Sequence, residues 1–320
     1  MMVSVHVLRS PDPAPLDHLR ASLHPDVRLT LGPDLPSPAD YDILVAGRPQ
    51  REHLAASPNL EALVIPWAGL PPETRELLRD FPGVAVHNLH HNASAAAEMA
   101  VALMLAAAKF IVPIDRTFRA HDWTPRYRPN PAISLEGKAV LILGYGAIGR
   151  RVARACRGLG MEVMAIQRSD ATDETYPPQA LHDLLPRADV LVICLPHTPE
   201  TTGIIGAEEL ALLPSDAVLV NVGRGPVVDE GALYHALREG ALYAAGLDVW
   251  YNYPGDKAAR SHTPPSAYPF HELDNVVMSP HRAGGSKEME IQRMSHLAAL
   301  LNAAARGEEM PNRVDLQVGY

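Results

Sequence analysis

The sequence predicts an α/β protein built from two doubly wound parallel sheets, and three observations lead to that class. Short apolar strands alternate with helical segments along the chain, the pattern of a parallel sheet with helices on both faces. A glycine-rich turn, Gly144-Tyr145-Gly146-Ala147-Ile148-Gly149, begins at residue 144 of 320, so something of domain size precedes it. A helical pattern from Lys287 to Arg306 has no strand after it, and it is expected to cross back onto the first domain.

Taken in order, the first hundred residues carry strands at Val3 to Leu8, Val27 to Leu31, Ile43 to Ala46, Leu63 to Pro66 and Val84 to Val86. An Ala-rich helix from about Ser94 to Phe110 bridges to a second series. That series runs through Ala139 to Leu143, Met161 to Ile166, Val190 to Cys194, Ala217 to Val222, Leu242 to Gly246 and Val276 to Met278. Six strands is the number in a full dinucleotide-binding sheet. The division places residues 1–98 and 288–320 in a discontinuous, flavodoxin-like substrate domain, and 99–287 in a Rossmann NAD(P)-binding domain. A hydrophobic content of 47% supplies the cores, and 30 prolines punctuate many short elements.

Composition excludes several classes of function. The net charge is −9 and no basic stripe is present, which argues against a nucleic-acid partner. Cys156 and Cys194 fall on a predicted helix and a predicted buried strand, with neither disulfide nor metal spacing, so no metal is expected and a reducing cytoplasm is. Met1 to Leu8 reads as a strand rather than a signal segment. The apolar stretch Met99 to Ala108 is too short to span a bilayer, so a buried helix is expected and no membrane partner.

The glycine turn follows a strand and opens a helix at Ala147, the context in which backbone N–H groups at a helix N-terminus take a dinucleotide's pyrophosphate. NAD-preferring sites usually end the second strand in Asp or Glu, which bonds the adenosine ribose and repels a 2′-phosphate. Here that strand ends Gln167-Arg168-Ser169, and Gln167 stands 18 residues beyond Gly149. A neutral residue replaces the acid, Arg168 can pair with a phosphate and Ser169 can donate to it. NADP(H) is therefore preferred, with NAD(H) possible because Asp170 can swing toward the ribose.

Four ordered motifs follow: LPHTPETTG from Leu195, NVGRGPVVDEGAL from Asn221, LDVWYNYP from Leu247 and MSPHRAGG from Met278. With the glycine turn they resemble the D-isomer-specific 2-hydroxyacid dehydrogenase family, in its glyoxylate/hydroxypyruvate reductase-like form, from the loop at Trp67 to the helix after His281. The resemblance implies hydride transfer between NAD(P)H and C2 of a small 2-oxo or 2-hydroxy acid. It implies that Arg224 pairs with the substrate carboxylate and polarises its carbonyl, a task suited to a planar, always-charged guanidinium. It gives His281 the acid/base role, for which an ordinary pKa near 6.5 fits.

The same resemblance has Asp248 hold the nicotinamide carboxamide, Val222, Gly223 and Gly284 line the cofactor, and Leu195 and Pro196 cover the pyrophosphate or nicotinamide ribose. Gly144, Gly146, Ala147, Ile148 and Gly149 form the turn itself. Ala68 and Gly69, in IPWAGL, match a loop whose N–H groups hold the substrate carboxylate; Asn88 and Asn92 match a loop at the interdomain cleft, with Ala97 and Glu98 behind. A homodimer is implied, with the segment from Phe118 to Pro131 in its interface.

One position departs from the pattern. Five residues after Asp248 the family places a glutamate that partners the histidine, and this chain has Tyr253. A carboxylate there raises the imidazole pKa, whereas a phenol is neutral at pH 7. Three explanations are open: Asp256 or Glu272 supplies the carboxylate, the Tyr253 hydroxyl orients His281, or turnover is impaired. Formate-dehydrogenase-like hydride transfer and a dinucleotide-sensing binding protein are the corresponding alternatives. Trp67, His90, His91, Trp250, Tyr251 and Tyr253 are expected to crowd the substrate cleft, and Arg48 is a candidate second anion contact.

Overall fold

A computed structural model describes residues 2–168 and 175–317. It divides into two compact units, Met1–Asn92 with Ser286–Tyr320, and Ala93–Gly285.

The first unit begins with β1 (Val3–Val7), α1 (Pro13–Ser22), β2 (Val27–Leu31), β3 (Ile43–Val45), α2 (Arg51–Ala55), β4 (Ala62–Ile65), α3 (Pro72–Leu77) and β5 (Ala85–Asn88). Its sheet is parallel, in the order β2-β1-β3-β4-β5. That is the flavodoxin-like order, in which ligands bind beyond the carboxyl ends of the strands. The two-residue period of a strand splits the apolar residues between two cores. Val5, Ile43, Val45 and Val64 face one core, and Leu44, Leu63, Ile65 and Val86 face the other. β5 extends past Val86 because His87 and Asn88, which carry no apolar signal, still pair with Val64 and Ile65 of β4.

The second unit contains α4 (Ala93–Ala108), α5 (Ile111–Arg119), β6 (Ala139–Leu143), α6 (Ala147–Gly158), β7 (Glu162–Ile166), α7 (Leu181–Leu184), β8 (Val190–Ile193), α8 (Ala207–Leu212), β9 (Val218–Asn221), α9 (Glu230–Arg238), β10 (Ala244–Leu247) and β11 (Val276–Met278). The sheet is again parallel, in the order β11-β10-β9-β8-β6-β7. Leu141, Leu191 and Leu219 point into one core; Val140, Val192 and Val220 point into the other, with Ala100, Leu103 and Met104 of α4. α4 sits hard on the sheet: a Cβ on Gly246 of β10 would lie 2.8 Å from the Leu103 Cβ. The helix belongs whole to this unit.

The strand count matches the sequence pattern, but the strands are distributed differently from a six-stranded dinucleotide sheet. Tyr176 bridges Ile166 in parallel, its N–H donating to Ala165 O at 2.8 Å and its O accepting the Gln167 N–H at 3.1 Å. Counting Tyr176 as the edge, Tyr176-β7-β6-β8-β9-β10 reproduces the 3-2-1-4-5-6 order and β11 is a seventh member. A one-residue bridge leaves no periodic pattern to detect.

The last helix, α10 (Met289–Ala305), returns to the first unit, where Met294, Leu297, Ala298 and Leu301 pack with Val5 and Leu19. Among the described residues no single helix is long and apolar enough to cross a membrane.

Candidate active site

The glycine turn is built by three separate constraints. Gly144 has φ +95°, a left-handed conformation that side chains resist, and its N–H donates to Ile166 O at 3.0 Å. A Cβ on Gly149 would lie 2.0 Å from Gly144 O, so α6 approaches β6 only with glycine there. A Cβ on Gly146 would meet nothing within 4 Å. Gly146 is also the N-cap of α6 and offers no side chain to its first N–H groups. An open face over uncapped donors fits a dinucleotide pyrophosphate.

The turns after β8 and β9 close over one another. A Cβ on Gly223 would lie 2.5 Å from Leu195 O, which brings these turns into backbone contact. Asn221 braces the second turn, accepting from the Gly223 N–H at 3.0 Å and donating Nδ2–H to Arg224 O at 3.0 Å. Val222 is buried, while Leu195 and Pro196 are half-buried. Arg224 is exposed, with Nη1 donating to Gly223 O at 2.7 Å.

Asp248, at the end of β10, is fully buried at 0% exposure. It accepts from Ser279 Oγ (2.5 Å), the Arg282 N–H (2.8 Å) and the Ala283 N–H (2.9 Å), and its backbone O accepts the His281 N–H at 2.7 Å. The loop from Ser279 to Ala283 therefore wraps around one carboxylate. Trp250 Nε1 holds the same loop from another side, donating to Ser279 O at 2.8 Å. Within it His281 adopts φ +54°, and its imidazole reaches the surface while one side is covered by its neighbours. Asp248 thus acts visibly as the anchor of the His281 loop. Gly284 follows, half-buried.

The ring facing His281 is Tyr253, at 5.5 Å between centroids and tilted 59°. Tyr253 Oη accepts the Trp250 N–H at 3.2 Å, which leaves its own hydroxyl hydrogen to donate. Partial burial and the Arg224 guanidinium push His281 below its ordinary pKa, and Asp248 pulls weakly the other way. Burial raises the Tyr253 pKa, so the phenol stays neutral.

Neither Asp256 nor Glu272 supplies the absent carboxylate among the described residues. Asp256 accepts the Ala259 N–H at 2.8 Å and Glu272 lies 4.0 Å from His271. The long loop that carries them is tied to Glu230 of α9, which accepts from Ser266 Oγ (2.6 Å) and the Ala267 N–H (2.8 Å).

At the end of β7, Gln167 is half-buried and Arg168 exposed; Ser169 and Asp170 lie outside the described residues. Trp250 and Tyr251 prove to be packing residues. Trp250 is 4% exposed against Phe270, and the Tyr251 hydroxyl donates to Val228 O at 3.0 Å.

In the first unit, Ala68 and Gly69 follow β4 and the Trp67 ring closes over Gly47, where a Cβ would lie 1.9 Å from the ring. Ala68 O accepts from Asn88 Nδ2 at 2.7 Å, and Trp67 O accepts the Leu89 N–H at 3.4 Å. Arg48 sits 5.8 Å over the Trp67 ring and pairs with Glu73 at 2.5 Å, so its charge is already matched. His91 is buried at 4% exposure and pushed down to about 4 by burial and by the charge of Arg293, whose Nε–H it faces at 3.4 Å. It is a neutral packing histidine.

Residues 101–283 match the family model described as "D-isomer specific 2-hydroxyacid dehydrogenase, NAD binding domain". The chain belongs to the D-isomer-specific 2-hydroxyacid dehydrogenases. It is 38% identical over 230 residues to a glyoxylate reductase from Korarchaeum cryptofilum, covering 69% of this chain and 66% of that one. It is 32% identical over 305 residues to a D-3-phosphoglycerate dehydrogenase from Mycobacterium leprae, covering 92% of this chain and 56% of that one. A D-isomer specific 2-hydroxyacid dehydrogenase from Xanthobacter autotrophicus Py2, solved with NADPH and MES, superposes with a TM-score of 0.77 at 28% identity, covering 99% and 100% of the two chains. The second unit of this dehydrogenase is accordingly its NAD(P)-binding unit.

Two contributors in that unit carried weak signals. Asn221 stands inside the NVGRG motif without an assigned role, and Ser279 precedes the histidine as an unremarkable small polar residue. Their parts emerge only from what they bond.

Proposed function

We propose that this dehydrogenase reduces C2 of a small 2-oxo acid, with NADPH as the preferred donor. The observation that carries the reading is the placement of Arg224 and His281 on turns at the carboxyl ends of β9 and β11, on either side of β10, whose Asp248 holds the His281 loop while Asn221 braces the Arg224 turn. When bound, the dinucleotide supplies the hydride. Gly144, Gly146 and the Ala147–Gly149 N–H groups would hold its pyrophosphate, with Leu195, Pro196, Val222, Gly223, Asp248 and Gly284 along its length. Arg224 binds the substrate carboxylate and polarises the carbonyl. His281 passes its proton to the carbonyl oxygen, Tyr253 orients its ring, and Asp248 holds the loop in place. Within the first unit, the loop at Ala68 and Gly69 is read, by the same resemblance, as a carboxylate-binding loop.

The cofactor preference rests on Gln167 and Arg168 at the end of β7, where a neutral residue stands in place of the usual acid and a guanidinium follows it. The similarity of the Xanthobacter autotrophicus protein, solved with NADPH, supports it. The family match favours turnover over the formate-type and sensing alternatives. Reduced cofactor oxidation with glyoxylate, hydroxypyruvate and phenylpyruvate tests the activity, and no turnover with any of them would overturn it. Arg168→Ala should lower kcat/KM for NADPH about tenfold while leaving NADH nearly unchanged, the scale of one charge-assisted phosphate contact. Equal losses with both cofactors would refute the 2′-phosphate role. A cytoplasmic homodimer completes the reading, supported by the reduced-cysteine usage and by the exposed apolar residues of α5 and the segment after it.

A further inference from the structure

We infer that Asn312, in the segment that follows α10, is a positioning residue for the Ala68–Gly69 loop; the inference rests on the reading that this loop takes the substrate carboxylate. The segment lies antiparallel along the outer edge of β5. Arg313 bridges His87, the Val314 N–H donates to Val86 O at 2.7 Å, and Pro311 O bonds His87 Nδ1 at 2.8 Å. The edge of the parallel sheet is thereby paired.

At the end of that edge Asn88 and Asn312 clasp each other. The Asn88 N–H donates to Asn312 O at 3.1 Å, and Asn312 Nδ2 donates to Asn88 O at 3.1 Å. Asn312 has φ +58°, a left-handed conformation that asparagine tolerates better than most side chains. The clasp holds the backbone from which the next two bonds depart. Asn88 Nδ2 donates to Ala68 O at 2.7 Å, and the Leu89 N–H donates to Trp67 O at 3.4 Å.

Peptide planarity turns those two bonds into control of two donors. Ala68 O and the Gly69 N–H belong to one trans peptide plane, so fixing the carbonyl points the N–H the opposite way. Trp67 O and the Ala68 N–H are linked in the same manner. The two N–H groups assigned to the carboxylate are thus aimed by Asn88 and Leu89, whose backbone Asn312 holds. Asn88 is 4% exposed and, among the described residues, its Oδ1 is buried without a partner, so the bond to Ala68 O is the one that orients its amide there. Small displacements at Asn88 therefore pass directly to the loop.

The test uses the full-length enzyme with Asn312→Gly, which keeps the left-handed conformation and removes the side chain, and Asn312→Asp, which replaces the donor with an oxygen facing Asn88 O. Both should raise the KM for the 2-oxo acid and the Kd of oxamate about three- to tenfold, the scale of one hydrogen bond, with kcat and the NADPH Kd within about twofold. Asn88→Ala should act in the same direction and more strongly. A lowered Tm with unchanged KM and oxamate affinity in both Asn312 variants, while Asn88→Ala raises them, overturns the role of Asn312 and leaves the carboxylate reading standing. Unchanged values in Asn88→Ala as well would overturn the carboxylate reading itself.

Discussion

Tyr253 leaves His281 to hold its proton without a carboxylate's help. The imidazole pKa lies below its ordinary 6.5, driven by partial burial and by Arg224. Reduction needs the protonated form, whose share falls as pH rises through that pKa, so kcat/KM for the 2-oxo acid should decline from the acidic side of neutrality. A profile flat from about pH 6 to 9 would count against His281 as the acid. Tyr253→Glu places a carboxylate beside the ring and should move the descending limb up by about one unit or more. An unmoved limb would show that Tyr253 does not govern the imidazole. Asp248 is the other decisive residue, because its buried carboxylate accepts three bonds from the His281 loop. Asp248→Asn replaces an acceptor oxygen by a donor facing a backbone N–H or Ser279, and should cost about 2–3 kcal/mol of stability along with kcat. Urea denaturation reads the first effect, and an unchanged midpoint would deny the anchoring role.

Between β6 and α6 the three turn glycines have different tasks, and substitutions should separate them. Gly149→Ala puts a methyl 2.0 Å from Gly144 O, so the helix must move off the strand. Stability should fall by about 1–3 kcal/mol and cofactor affinity with it. Gly146→Ala meets open space, so Tm should hold while NADPH binding weakens. Equal thermal losses in the two variants would mean that Gly146 serves packing and not the dinucleotide. Strand positions were legible at this scale because apolar runs of four or five residues between glycines and prolines mark buried parallel strands. Tyr176 escaped because a single bridging residue has no period. The ends of β5 escaped because His87 and Asn88 pair through their backbones, which side-chain polarity does not report.

For the whole molecule, α5 has no buried residue, and Phe118 and Trp123 stand edge to face at 4.7 Å while 49% and 58% exposed. With Tyr127 at 79% they form apolar surface of the kind that a second copy covers. If the proposed homodimer forms through this face, light scattering coupled to size exclusion should give the mass of two chains for the wild type and of one for Phe118→Ser with Trp123→Ser; an equal mass for both would refute this face as an interface. The sequence by itself determined two parallel sheets, the glycine turn between β6 and α6 and the returning last helix, and it singled out Arg224 and His281 as the proposed chemical pair. Those features are carried by local periodicity, by glycine's conformational range and by contiguous motifs. Only the tertiary structure decided that Tyr253, and neither Asp256 nor Glu272, faces His281, that Arg48 is matched by Glu73, and that Asp248 anchors the histidine loop. Such pairings join residues separated by long loops, and a side chain's partner across a loop depends on where the loop is tied, here at Glu230, which no local pattern encodes.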